Sequence, residues 1–291
     1  MTDNRIILIA GGDMRQIYTA NELANEYNVY IYGFDNLKAN TDNITFITDL
    51  YDLPQKASCL ILPLPVSHDG IFLNAKASDK KIPISSFNNF IRPDGIILGG
   101  RFIPNIRKLL NGYEIIDYSK LEDFSVLNAV PTAEAAVKIA LENTEIGLYK
   151  SKILITGFGR IAKVLAKILK SFDAEITISA RKDSDLCWAE IGGYNCIHIN
   201  DLKKNCRKYD FIFNTVPAPI ITENIIKSLN PEVLIIDLAS KPGGTDFECA
   251  GTNNLKTIQA LSLPGIHFPI SAGKIIAQTS LKIIKERSNQ A

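Results

Sequence analysis

The chain has 291 residues, 46% of them hydrophobic and 22% charged, with a net charge of +1. That length predicts about two domains, and near-neutrality gives no electrostatic reason to expect a nucleic acid or a membrane surface as partner. The five cysteines (Cys59, Cys187, Cys196, Cys206, Cys249) form no CxxC pair and are odd in number, and the three histidines are scattered, so neither a disulfide framework nor a metal centre is expected. A reducing cytoplasm is the expected compartment. The first apolar run, Ile6–Ala10, is too short for a secretory signal, and no run approaches 18 apolar residues.

Arg5–Asp35 (RIILIAGGDMRQIYTANELANEYNVYIYGFD) reads as strand, glycine turn, helix and strand. Apolar runs at Cys59–Leu62, Ile82–Ile84, Ile96–Leu98 and Glu114–Ile116 follow, short and bounded by turn residues, as strands buried on both faces of a parallel sheet are. Pro131 and Thr132 are expected to start a helix with a small-residue face of Ala135, Ala136, Ile139 and Ala140. The theme then repeats: a strand over Lys152–Gly157, a helix over Ile161–Phe172, a strand over Glu175–Ser179 and a helical stretch over Ser184–Ile191. Strands follow at Phe211–Asn214, Leu234–Asp237 and Thr257–Gln259, and SAGKIIAQTSLKIIKER ends the chain as an amphipathic helix. The expected fold class is α/β: two Rossmann-like doubly wound domains with parallel sheets, joined by two crossover helices with a cleft between them. The expected boundaries are 1–130 plus 272–291 for a substrate domain, and 131–271 for a linker helix and dinucleotide domain.

GFGRIA (Gly157–Ala162) has the form GxGxxA between strand and helix. Gly157 permits the tight turn, Gly159 lets the backbone approach a pyrophosphate, and Ala162 lets helix and strand pack closely. Phe158, Arg160 and Ile161 complete the turn, whose N–H groups face the phosphates. Where an NAD site carries an acid, this chain reads ITISARK. Ser179, Arg181 and Lys182 there favour the 2′-phosphate of NADP, with NAD as the other possibility and a solvated loop as the plain alternative. Asn214, Thr215, Val216 and Pro217 in FNTVPAP are expected to line the nicotinamide ribose, unless Pro217 and Pro219 merely force a turn. Lys241 in DLASKPGGTDF either faces an anionic substrate or is a surface cation.

In GGDMRQ (Gly11–Gln16), Gln16 stands where a dinucleotide turn needs a small residue. Asp13 and Arg15 start a helix at the carboxyl end of a strand, where ligands collect. Arg15 then binds a substrate carboxylate, or Asp13 is a helix cap beside a surface arginine. Asp35 is the acid an NAD site would use, which leaves a second cofactor site open. The remaining candidates are Ser67 and His68 in LPVSHDG, Arg101 in LGGRF, Thr132 and Glu134 in PTAE, and His267. No GxSxG elbow, HExxH or P-loop supports a hydrolase or kinase.

GGDMRQ, VPTAEAAVKIAL, GFGRIA, SARK, NTVPAPIIT, DLASKPGGTDF and LPGIHFPISAGKIIA, in this order and spacing, resemble the A subunit of dipicolinate synthase nearly end to end. The resemblance implies NADP-dependent oxidation of a dihydrodipicolinate to pyridine-2,6-dicarboxylate during sporulation, in the mother cell, with a flavoprotein-like B subunit. It implies Arg15, Arg101 and Lys241 as carboxylate ligands and Glu134, His267 or water as the proton acceptor. The immediate substrate, the dihydro form or its hydroxylated tetrahydro precursor, stays open. Two other readings stand beside it: an NADP-binding scaffold whose partner does the chemistry, and another NADP dehydrogenase, of shikimate or methylenetetrahydrofolate.

Overall fold

Runs of β-branched and aliphatic residues form the strands of a computed structural model that describes residues 3–35 and 44–289. In chain order the elements are β1 (Asp3–Ala10), α1 (Met14–Leu23), β2 (Tyr27–Tyr32), β3 (Ile44–Ile47), β4 (Ala57–Ile61), β5 (Ile91–Gly99), α2 (Pro104–Leu109), β6 (Glu114–Asp117) and α3 (Glu122–Glu142). Then come β7 (Lys152–Thr156), α4 (Arg160–Lys170), β8 (Glu175–Ala180), α5 (Asp183–Ile191), β9 (Asn195–His198), α6 (Leu202–Asn205), β10 (Phe211–Asn214) and α7 (Glu223–Ile226). The chain finishes with β11 (Leu234–Asp237), α8 (Phe247–Thr252), β12 (Lys256–Gln259), α9 (Leu263–His267) and α10 (Pro269–Ser288).

Among the described residues the strands form two six-stranded parallel sheets, ordered β3-β2-β1-β4-β5-β6 and β12-β11-β10-β7-β8-β9. The fold is α/β, and each sheet has the strand order of a doubly wound Rossmann domain. Each reverses direction of winding beside its first strand, between β1 and β4 and between β7 and β10. Every residue of β10 and β11 is buried, the consequence of helices on both faces. The chain up to Asn128 and from Phe268 onward forms one compact unit, and Ala129–His267 forms the other.

Three expectations need correction. Ile82–Ile84 is no sheet strand: Pro83 makes a single bridge to Phe72, and the chain turns into a 3-10 helix from Ile84. Proline has no N–H for a ladder, so the apolar run ends as a plug in the core instead. Pro131 does not start α3, which begins nine residues earlier at Glu122 and carries the proline inside. The third correction adds strands. β3 and β9 are short sheet-edge strands whose partly exposed faces hid them from an apolar-run reading. The helix α3 has the length and apolarity of a membrane span, with half of that stretch buried in the protein.

Within the first unit, α10 crosses α1 closely. A Cβ on Gly273 would lie 2.6 Å from both the Arg15 carbonyl oxygen and Tyr18 Cβ, and the Thr19 hydroxyl reaches the Gly273 carbonyl at 3.0 Å. Gly273→Val should therefore lower the unfolding free energy by about 1–3 kcal/mol, the usual penalty of overpacking. Urea denaturation followed by circular dichroism reads that loss.

Candidate functional site

The second unit carries the dinucleotide turn. Past Thr156, Gly157 takes φ +86°, and a Cβ there would meet Thr215 Oγ1 at 2.7 Å and Val216 Cγ2 at 2.9 Å. Its N–H donates to the Ser179 carbonyl (2.8 Å). Gly159 is the N-cap of α4, no side chain caps the helix, and a Cβ on Gly159 would meet nothing within 4 Å. Uncapped N–H groups, the positive end of the helix dipole and open space above a glycine make a cradle for a pyrophosphate. Ala162 is fully buried against the sheet. Phe158 points away into an edge-on contact with Tyr194 and contributes backbone only; Arg160 is exposed and Ile161 half-buried.

Beside the turn lies a cavity of about 370 Å³. Gly157 closes one end, Ala180, Arg181, Lys182 and Asp185 form one wall, and Val216, Pro217, Ala218 and Ile220 form the other, with Ile199 from the loop after β9. Ser179 is displaced from its expected place. It is fully buried, with its hydroxyl unpaired among the described residues. The cause is β9: pairing of Ala180 with His198 extends β8 by one residue, so Ala180, Arg181 and Lys182 reach the cavity instead.

Asn214 also does something other than face a ribose. Three adjacent strands end in polar residues, ILIT, FIFN and LIID, and all three side chains are fully buried. Thr156 Oγ1 donates to Asn214 Oδ1 (2.6 Å), and Asn214 Nδ2 donates to Asp237 Oδ1 (2.9 Å) and the Val216 carbonyl (3.1 Å). The Val216 N–H returns a bond to Asn214 Oδ1 (3.2 Å). Thr215 turns inward, its hydroxyl on the Thr156 carbonyl (2.7 Å). Val216 and Pro217 thus line the cavity, while Asn214 and Thr215 hold them there. Asp237 was missed by sequence reasoning; the shared polar ending of three apolar strands was the signal.

The first unit repeats this plan with different turn chemistry. Gly11 donates to the Tyr32 carbonyl (2.9 Å), as Gly157 does to Ser179, but the Gly12 N–H is taken by the Asn74 carbonyl (2.7 Å). Asp13 stands where the second unit has Gly159, and it caps α1 by accepting from the Arg15 N–H (3.1 Å). Gln16 stands where the second unit has Ala162 and packs over Gly12. A carboxylate and a bulky amide fill the place of a phosphate. Arg15 is bound to that carboxylate through Nε and Nη2 (both 2.9 Å) and to the Leu64 carbonyl (3.0 Å). Burial, the largest influence, pushes the Asp13 pKa up, but the hydrogen bond and charge of Arg15 outweigh it and hold it below the usual carboxylate value. Asp35 is engaged as well, by the Ser78 hydroxyl and Lys80.

The remaining candidates divide between the units. In the first, Ser67 donates to Asp69 (3.0 Å) and accepts from the Gly70 N–H (2.9 Å), a turn-forming role, and His68 is exposed. Arg101 follows β5 at φ +60°, its N–H held by Asp117 (3.1 Å). Its exposed side chain makes no hydrogen bond or ion pair among the described residues. In the second, Thr132 is buried and Glu134 exposed on α3, Lys241 is exposed in the loop after β11, and His267 is half-buried at the end of α9.

Two families of known proteins match in tandem. The N-terminal domain of the dipicolinate synthase A subunit matches residues 6–118, and the NAD binding domain of D-isomer specific 2-hydroxyacid dehydrogenase matches residues 133–239. The dipicolinate synthase A subunit of Bacillus subtilis (strain 168) is 28% identical over 96% of each chain. The chain is similar over nearly its whole length to the dipicolinate synthase A subunit. A crystal structure of the Bacillus subtilis protein superposes on this chain with a TM-score of 0.89 at 26% identity, covering 100% of this chain and 99% of that one. A transhydrogenase from Sinorhizobium meliloti shares the fold at a TM-score of 0.74 and 13% identity, over 97% of this chain and 94% of its own. The second unit is an NAD(P)-binding dehydrogenase domain.

The Asp13–Arg15 pair has a pH signature. A carboxylate whose folded pKa is depressed stabilises fully above its unfolded value, near 3.8 here, and loses that contribution as pH falls through the folded value. Asn is itself a good helix cap, so Asp13→Asn should lower Tm at pH 7 by removing the ion pair alone. The gap between the two melting curves should close as the pH is taken below 3.8.

Proposed function

We propose that the second unit binds NADP and that the chain is the A component of a two-subunit dipicolinate synthase, oxidising a dihydropyridine dicarboxylate to pyridine-2,6-dicarboxylate in the cytoplasm of a sporulating cell. The observation that carries the cofactor choice is the cavity wall at the end of β8. The residue there is Ala180, with no carboxylate, and Arg181 and Lys182 follow it into the same wall. A guanidinium offers a 2′-phosphate forked, charge-assisted hydrogen bonds. Asp185 in that wall favours the second reading, NAD, through a carboxylate for the ribose hydroxyls.

Oxidation of the dihydro ring removes one hydride and one proton and leaves an aromatic dicarboxylate. Bound NADP+ supplies the hydride acceptor. The chain's part is to hold the substrate and take the proton. Arg101, whose side chain has no partner among the described residues, and Lys241 are the proposed carboxylate ligands; Arg15 shares that role only by leaving Asp13. Glu134 and His267 are the proposed proton acceptors, with Thr132 and Ser67 as polar contacts, and a flavoprotein-like B subunit is the proposed partner.

The test combines freshly generated dihydrodipicolinate, NADP+ or NAD+, and the purified chain with and without its partner. One NADPH formed per dipicolinate supports the proposal; dipicolinate without reduced cofactor, or none without the partner, makes the chain a scaffold. Arg181→Ala should weaken NADPH binding about 10- to 100-fold, the worth of one charge-assisted bond of about 1.5–3 kcal/mol, and leave NADH nearly unchanged. Equal loss for both dinucleotides would remove Arg181 from the 2′-phosphate.

A further inference from the structure

We infer that Asp237 is a positioning residue that ties the cavity loop to the Lys241 loop, so that filling the cavity orders Lys241. The inference rests on the dinucleotide reading of the cavity. Asp237 is fully buried at the end of β11, and no cation pairs with it among the described residues. A buried carboxylate without a counter-charge is costly, and a neutral side chain would be cheaper unless the carboxylate's bonds are needed.

Its three donors come from two loops. Oδ1 accepts from Asn214 Nδ2 (2.9 Å), the residue that holds Val216 in the cavity wall. Oδ1 also accepts from the Ala239 N–H (2.9 Å), and Oδ2 accepts from the Gly244 N–H (2.9 Å). Ala239 and Gly244 are the two ends of the turn that carries Lys241. Gly243 takes φ +87° to bend that turn back. Gly244 then seats against the cavity loop: a Cβ would lie 2.5 Å from Asn214 Nδ2 and the Val216 carbonyl and 2.6 Å from the Ala218 carbonyl. Its own carbonyl accepts from the N–H groups of Ile220 and Ile221 (both 2.9 Å). Residues 239–244 take no part in the cavity lining. Order gained at Val216–Ala218 on ligand binding therefore reaches Lys241 through this contact, with Asp237 at its centre.

Hydrogen–deuterium exchange with and without NADPH tests this, on the wild-type chain, Asp237→Asn and Asp237→Ser. In the wild type NADPH should slow exchange about tenfold, one hydrogen bond's worth, over both 214–221 and 238–246. Either substitution should keep the protection over 214–221 and abolish it over 238–246. Asp237→Ser is smaller, keeps a hydroxyl that can accept one N–H and leaves the Asn214–Val216 bonds intact, so it serves if Asp237→Asn fails to fold. Wild-type protection confined to 214–221, or protection of 238–246 that survives both substitutions, overturns the inference. No protection over 214–221 in the wild type overturns the dinucleotide reading itself, a different and distinguishable failure.

Discussion

Parallel pairing of β7 with β10, in register from Ile153–Phe211 to Thr156–Asn214, is the constraint from which the second unit's site follows. Parallel strands deliver all their carboxyl ends to one edge, and the winding reverses between these two, so the loops that leave them part and open a crevice. Thr156, Asn214 and Asp237 occupy the last rung, buried and bonded to one another. Their polar chain satisfies the interior and at the same time fixes where the loops depart. The turn glycine, the cavity wall and the Lys241 loop all start from that rung.

The first unit has the same strand order and the same glycine-to-strand bond, and it comes to a different end. The difference is local chemistry at three positions. Gly12 spends its N–H on Asn74, Asp13 supplies a charge of the wrong sign for a phosphate, and Gln16 fills the space that Ala162 leaves in the other unit. Topology sets where a ligand can bind; the cap and the third turn residue set which ligand can.

Much of this was legible from residues alone. β10 and β11 have the bounds that their apolar runs predict, because strands buried on both faces announce themselves without reference to their neighbours. The turn Gly157–Ala162 was legible for the same reason, as each of its residues answers to a local backbone demand. What was hidden depended on partners distant in sequence. β9 could not be foreseen from its half-exposed residues, and without it β8 ended at Ser179 rather than Ala180, which moved the expected contact onto a buried hydroxyl. Asn214 read as a ligand contact because nothing local reveals that Thr156 and Asp237 stand beside it. Pro131 read as a start because proline favours the first helical turn, and only the tertiary setting carries α3 through it.

An uncapped helix N-terminus beside a glycine is open to any phosphate the cell contains, and nucleotides are abundant there. Had the first unit kept such a turn, it would spend its life filled by whichever nucleotide was in excess. By closing the end of α1 with its own Asp13, and by neutralising that carboxylate with Arg15, the chain takes one of its two crevices out of that competition. The self-made cap works as an internal competitor: always present at unit stoichiometry, independent of concentration, and removable only by mutation.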